Sequence, residues 1–302
     1  MKKIIFLSFA FIFSSLTCLS QTKENLKFDA AYRKAERGDS LAQNYVANCY
    51  MNGYGIAKNE QKAAFWYLKS AEQGYPKAQV SLSYLYLSGK GLEKDTTMAI
   101  KWITKAAEQG YADAQYAIGK NIIDKSLTGV PDSLAIKYLK IATKNNHVWA
   151  QYLLGRCYFE GKGVNMDKGK ALSMWKLAAN EGSLTAQLQL SNCYRRGIGC
   201  EKNDTESFNW LLKAAEQGHS EAQYGIGMDY LQGRGTKKDS KKAEEWLLKS
   251  ANQGYVQAQI RIGRLYINKS IQIKKKQVIS LLENAQRNGN SEAQKLLETI
   301  RK

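Results

Sequence analysis

Four cysteines beyond the first twenty residues, two histidines and one serine–lysine spacing are where covalent or metal chemistry would start in this 302-residue chain. Cys157 and Cys193 stand 36 residues apart, with Cys49 three such periods before Cys157, and leucine holds the same slot at Leu85 and Leu265. The slot therefore reads as a small buried hydrophobe. Packed helices one period apart sit about 9–10 Å from each other, beyond the roughly 7 Å between Cα atoms that a disulfide spans. Cys193 and Cys200 flank a single turn instead, and are the pair left open for a bridge in an oxidising compartment. His147 and His219 lie two periods apart, too far to share one metal or one nucleophile. Tyrosine fills their slot elsewhere, so a packing or surface role is expected. Ser173-x-x-Lys176 has the spacing of an acylating serine and its lysine, but no Ser-Asp-Asn or Lys-Thr-Gly follows it. These residues predict no catalytic centre, no cofactor and no metal site.

The elements that hold them repeat. An Ala-Gln pair stands at Ala42-Gln43, Ala78-Gln79, Ala114-Gln115, Ala150-Gln151, Ala186-Gln187, Ala222-Gln223 and Ala258-Gln259, always 36 residues apart, and again at Ala293-Gln294. A fixed period of this size means stacked supersecondary units in place of one central core. Counting the alanine as position 1, position 5 is apolar throughout (Val46, Leu82, Ile118, Leu154, Leu190, Ile226, Ile262) and position 9 is tyrosine in six units. Positions 1, 5 and 9 share one helix face, and position 6 is small throughout, admitting a second helix. This helix A ends at a Gly-x-Gly turn in five units, such as Gly89/Gly91 and Gly233/Gly235. Those turns follow helices and lack the further glycine or Gly-Lys-Ser of a phosphate loop. Helix B starts behind Asn59, Asp95, Asp167, Asn203 or Asp239, each a good N-cap. It carries a large aromatic and stops at a glycine, or at Asn146 in the third unit. In that unit Ile122 and Lys125 replace the tyrosine and first glycine, and Pro131 enters at the cap, so a differently shaped turn and weaker stacking are expected there.

The N-terminus is organised differently. Lys2 and Lys3 precede an apolar run, Ile4 to Phe13, and a small polar stretch to Ser20. This reads as a cleavable export signal over 1–20, leaving Gln21 first. A lipid on Cys18 is the lesser alternative, because Thr17 is a poor residue before a lipidated cysteine. The expected organisation is then a half-repeat cap over 21–41, seven repeats over 42–292 and a capping helix over 293–302. Formal net charge is +18, which draws acidic partners or anionic surfaces. Nucleic acid is set aside, since export removes it and no recognition motif is present.

The pattern Ala-Gln-x-x-Leu-Gly-x-x-Tyr-x-x-Gly-x-Gly, followed by Ala, Trp and Ala-Ala-x-x-Gly, resembles the Sel-1-like repeat family, relatives of the tetratricopeptide repeats. Ala150 to Val164 match it almost letter for letter. The resemblance implies an all-α fold: a right-handed α-solenoid of antiparallel helix pairs, about seven repeats with terminal capping helices, serving as an adaptor or scaffold. Secreted relatives with a cysteine pair in each repeat have been credited with weak penicillin-binding or β-lactamase activity. This chain lacks those pairs, and an enzyme of that kind is the alternative reading. In tetratricopeptide-like stacks helix A lines the groove, so the resemblance points to positions 3, 7, 10 and 11 and their neighbours. These bring Tyr116, Tyr152, Arg156, Phe159, Arg195, Arg196, Tyr224, Met228, Arg261 and Arg264 forward as binding residues, types that dominate protein interfaces. The expected partner is an acidic protein or peptide, or an anionic polysaccharide. A scaffold held to the cell envelope by charge is the further alternative. Arg195 and Arg196 lie outside the packing face, so reversing them is expected to cost binding without unfolding.

Overall fold

The computed structural model describes residues 24–301, so the signal expected over 1–20 lies outside the described residues. Helix follows helix throughout: α1 (24–36), then α2 (Ser40–Asn52), α3 (Glu60–Glu72), α4 (Pro76–Ser88), α5 (Thr96–Glu108), α6 (Ala112–Ile123), α7 (Asp132–Lys144) and α8 (Val148–Glu160). There follow α9 (Lys168–Asn180), α10 (Leu184–Arg196), α11 (Asp204–Glu216), α12 (Ser220–Gln232), α13 (Ser240–Asn252), α14 (Val256–Ile267), α15 (Lys275–Arg287) and α16 (Ser291–Arg301). No strand occurs among the described residues. The fold is an all-α solenoid of antiparallel helix pairs. The chain forms two compact units that divide between Ala150 and Gln151, inside α8.

Each boundary has a local cause. Asn59, Asp95, Asp167, Asn203 and Asp239 each accept the N–H three residues on, which caps α3, α5, α9, α11 and α13. Gly89 ends α4 in the left-handed region at φ 71°. The second glycine of the same turn, Gly91, has a different task. A Cβ there would run into the Glu60 carbonyl, at the start of the preceding helix B. The Gly-x-Gly signature therefore records one chain reversal and one close approach between repeats. Position 6 is small for a related reason: a Cβ on Gly227 would stand 2.7 Å from Leu247 Cγ.

Within the first unit, Ala42, Val46, Ala47 and Tyr50 of α2 bury against Ala63, Trp66 and Tyr67 of α3 and Leu82 of α4. In the second, Ala222, Ile226 and Tyr230 of α12 bury with Phe208 and Ala243. The turn after α6 is indeed reshaped. Lys125 takes the left-handed conformation at φ 60°, its Nζ meets Asp132 at 2.6 Å, and Pro131 supplies no side-chain cap. Ile122, Ile123 and Leu127 are all fully buried there.

The glutamine of the first seven pairs is buried, and in most of them it ties three helices together. Gln79 Nε2 donates to the Ala71 carbonyl at the end of α3, 3.1 Å away, while its Oε1 accepts from Gln109 Nε2, at the end of α5, at 2.8 Å. Gln43 does the same with Ala35 and Gln73, Gln187 with Ala179 and Gln217, and Gln223 with Ala215 and Gln253. The donor always comes 30 residues after the acceptor. Thirty residues beyond Gln151 stands Glu181, whose carboxylate only accepts. Gln151 Oε1 is accordingly buried without a partner. Replacing Glu181 with glutamine restores the missing donor, and Glu181→Gln is expected to stabilise the chain by about 1 kcal/mol. Thermal unfolding checks this against Glu181→Leu, which removes the charge without supplying the donor. A midpoint that rises equally in both variants, or in neither, sinks the explanation.

Candidate functional site

Helix A presents positions 1, 2, 5 and 9 to the core, which leaves 3, 7, 10 and 11 at or near the surface. Tyr116 lies in the first unit, stacked on His147 with ring centroids 4.8 Å apart. The other nine proposed residues lie in the second unit and fall into separate groups. Tyr152 and Phe159 pack on Trp175 at 6.4 and 5.3 Å, and Trp175 Nε1 donates to the Tyr152 carbonyl at 3.1 Å. Arg156, on the same helix, stands 3.9 Å from Glu160. Tyr224 tilts against Tyr255 at 5.5 Å. Those two and Arg195 line a cavity of about 420 Å³, together with Asn192, Glu221 and Gly225. Arg261 and Met228 are half-buried, and Arg196 is exposed.

The arginines do not form the open cationic cluster that their spacing suggests. Arg195 is fastened inward: its two terminal nitrogens donate to the Asp229 carboxylate at 3.2 and 2.5 Å, and its Nε donates to Ser207 Oγ at 3.2 Å. Asp229 is 1% exposed, with Arg234 4.0 Å away on its other side. Burial pushes the Asp229 carboxyl above the usual carboxylate range against the pull of Arg195 and Arg234. Arg264 is held by Glu292 at 2.5–2.6 Å. Of the five proposed arginines, Arg196 and Arg261 have no ion-pair partner among the described residues, and Arg261 Nε is buried without a hydrogen bond. The expectation that Arg195 can be reversed without structural cost is therefore corrected. A glutamate there would set two carboxylates together in a buried site.

The other reactive residues have structural surroundings. Cys193 and Cys200 are both free thiols, so the bridge left open by the sequence is not formed. Cys193 faces the core at 1% exposure while Cys200 sits half-buried beyond the turn. Burial raises the Cys193 thiol to about 11, away from nucleophile behaviour. Ser173 Oγ donates to the Gly169 carbonyl at 3.1 Å. Lys176 lies over the Tyr194 ring, and its hydrogen bond with that tyrosine raises its pKa, the opposite of what a serine-activating base needs. His147 Nδ1 and His219 Nδ1 accept the Ala150 and Ala222 N–H groups, capping α8 and α12. Aspartate or serine makes the same cap at Asp39 and Ser183.

Sequence reasoning passed over a second hollow. It lies in the first unit, holds about 640 Å³ and is lined in part by Lys27, Lys34, Asn44, Tyr45 and Asn48. Asn44 and Asn48 occupy positions 3 and 7, the same register that brought the tyrosines and arginines forward. An amide carries neither the charge nor the ring that drew attention to those residues. Asp229 was missed too, although an acid in the cysteine/leucine slot, with Ser207 in an alanine slot, was a visible break in the pattern.

The Sel1 repeat profile matches residues 40–75, 76–111, 112–147, 150–183, 184–219 and 220–255. Among solved structures, a Sel1 repeat protein from Oxalobacter formigenes is 33% identical at a TM-score of 0.73, over 90% of this chain and 80% of its own. A protective antigen of uropathogenic Escherichia coli strains, with an SLR fold, is 29% identical at a TM-score of 0.77. This chain is covered over 90% of its length there but spans only 59% of that antigen. No functionally curated protein matches the chain in sequence.

The Arg195–Asp229 assignment makes a quantitative prediction. Arg195→Leu alone strands a buried carboxylate and should cost about 3–5 kcal/mol. The double variant Arg195→Leu/Asp229→Leu restores the apolar residues of other units, Leu231 and Leu265 in the same slots, and should return to within about 1 kcal/mol of the parent or exceed it. Denaturant unfolding of the four proteins in the cycle measures the coupling. Additive losses would show that the pair is not coupled.

Proposed function

Because the chain belongs to the Sel1 repeat family, we propose that it is an exported, non-enzymatic scaffold that binds an acidic protein or peptide along the helix-A faces of its repeats. The observation that carries this reading is the state of those faces. They are hollowed rather than packed shut, with cavities of about 640 and 420 Å³ edged by tyrosine and asparagine. Cations without carboxylate partners among the described residues border these faces: Lys27 and Lys34 of α1 and Lys77 of α4 in the first unit, Arg196 and Arg261 in the second. The net charge of +18 gives the field the same sign. An anionic polysaccharide or envelope surface answers to that charge as well, and the test separates them.

Export rests on residues 1–20. Intact-mass analysis of the protein from its native host should show a chain beginning at Gln21. A retained Met1, or a lipid mass on Cys18, overturns that part.

For binding, the immobilised mature chain is exposed to an envelope extract and washed with rising salt. Bound proteins should be more acidic than the extract as a whole. Their retention should fall as ionic strength passes about 0.1 M, where the screening length drops below about 10 Å. Arg196→Glu/Arg261→Glu should lose more of them than Lys241→Glu/Lys242→Glu on helix B. Equal losses would mean that bulk charge holds the partner, as an envelope surface would.

A further inference from the structure

The last two full repeats are polarised in charge. Helix pairs are antiparallel, so every turn from helix A to helix B falls on one edge of the stack and every return turn on the other. On the first edge, residues 233–242 hold five basic side chains against Asp239, and residues 269–278 hold four and no acid. On the other edge, residues 214–222 and 250–258 hold two glutamates and no lysine or arginine.

The two basic turns are neighbours. The Gln272 N–H, in the second turn, donates to Glu244 of α13 at 3.2 Å, and α13 begins inside the first turn. Packed helices stand about 9–10 Å apart. Lys241 and Lys242 at the start of α13 and Lys274 to Lys276 at the start of α15 therefore belong to one patch. The eight lysines of the two turns are all exposed, and none has a carboxylate partner among the described residues. Asp239 is engaged as a cap, accepting the Lys242 N–H at 3.0 Å.

The fold gains nothing from this arrangement. A helix begins at its positive end, where acids are favourable and bases are not. Accordingly α3 has Glu60 in its first turn, and α11 has Asp204 and Glu206. The first turns of α13 and α15 hold lysines and no acid. At α15 a lysine, Lys274, even takes the N-cap, and it makes no side-chain cap bond. Lysines so placed repel the helix ends and one another, and an outside anion relieves both repulsions.

The patch also shows which anion it suits. It is made of charge alone, since Ile271, Ile273 and Val278 of the second turn are buried. Neither turn carries an aromatic ring on which a base could stack. Lysine outnumbers arginine, giving mobile point charges in place of a planar fork matched to one carboxylate or phosphate. Such a patch answers to a surface whose negative charges are many and free to move.

We propose that this edge lies on an anionic phospholipid surface, held by attraction between its lysines and the lipid phosphates and without insertion. The inference goes beyond the scaffold reading, because an edge lying on lipid leaves the helix-A faces free for a partner.

The test is cosedimentation of the mature chain with vesicles of phosphatidylcholine, alone or mixed with phosphatidylglycerol. Binding is expected to the mixed vesicles only, and it should fall as salt rises past about 0.1 M. Lys241→Glu/Lys242→Glu and Lys274→Glu/Lys275→Glu should each weaken it about tenfold or more, at roughly fivefold per lysine. Lys27→Glu/Lys34→Glu makes the same change of net charge in the first unit and should leave binding within about twofold, because charges distant from the lipid are screened. The unfolding midpoint of Lys241→Glu/Lys242→Glu should hold or rise, since acids replace bases at a helix start, which separates lost binding from lost fold. Equal binding to both kinds of vesicle, binding to neither, or an equal loss in Lys27→Glu/Lys34→Glu would each overturn the proposal. Tighter binding to polygalacturonate or to duplex DNA than to the mixed vesicles would overturn it too, and assign the edge to a polysaccharide or a nucleic acid. The vesicles carry no protein, so either result leaves the protein-binding reading to its own test.

Discussion

A buried primary amide, repeated every 36 residues, is the interaction on which the stacking depends. Apolar contact alone drives helices together without choosing a register. The glutamine at position 2 supplies the choice, because its donor and acceptor point in different directions within one rigid amide plane. Its Nε2 reaches a carbonyl in the last turn of the preceding helix B, as a second donor beside the N–H of the glycine that ends the helix, and its Oε1 accepts from the amide at the end of its own unit's helix B. Gln79, with Ala71 on one side and Gln109 on the other, shows the full arrangement. Each link is local, so the coupling passes only from neighbour to neighbour, as expected of a solenoid. The chemistry tolerates little change. Asn145 is one methylene short and its bond to Gln115 stretches to 3.4 Å, while Glu181 offers no donor to Gln151.

The same neighbour rule governs the charges. A chain with 45 basic and 27 acidic residues invites a picture of arginines waiting for a ligand. Arg195 shows why counting misleads. It stands at position 10 of one repeat, where another unit carries Phe159, and meets Asp229 at position 8 of the next, where other units carry cysteine or leucine. Two departures from the pattern, 34 residues apart, answer each other in a site with little water. Desolvating both groups is costly, and only the near-bidentate geometry offsets it. An arginine held in that way contributes to the internal balance of the fold and offers little to an outside carboxylate.

The fold was legible because its determinants recur. Ala-Gln, the position-9 tyrosine, the Gly-x-Gly turn and the Asp or Asn cap each appear several times in fixed register, and repetition separates signal from chance in one sequence. What was not legible occurs once. Nothing in the spacing says that Arg195 reaches Asp229, because the contact runs between repeats at unlike positions. The third unit departs from the repeat in another way. Its lost tyrosine and glycine looked like damage, while Ile123 and Leu127 supply apolar burial of another shape. Asn44 and Asn48 were in plain sight at positions 3 and 7. An amide can cap, bridge or bind, and only the surroundings decide between these roles.

The division of labour along helix A explains why such a frame can carry different sites. Positions 1, 2, 5 and 9 are committed to burial and to the amide links, and a change there is felt by the adjoining repeat. Positions 3 and 7 lie on the same helix at equally fixed spacing, yet the stack prescribes no residue type for them. Asparagine stands there in α2, tyrosine and arginine in α8, leucine and asparagine in α10. A side chain at those positions gains its placement from a rigid element without having to contribute to it. Asn44 shows the consequence: its unpartnered oxygen is a liability of the order of 1 kcal/mol or more, held in place by a helix whose stability comes from Ala42, Gln43, Val46 and Tyr50 on the opposite face.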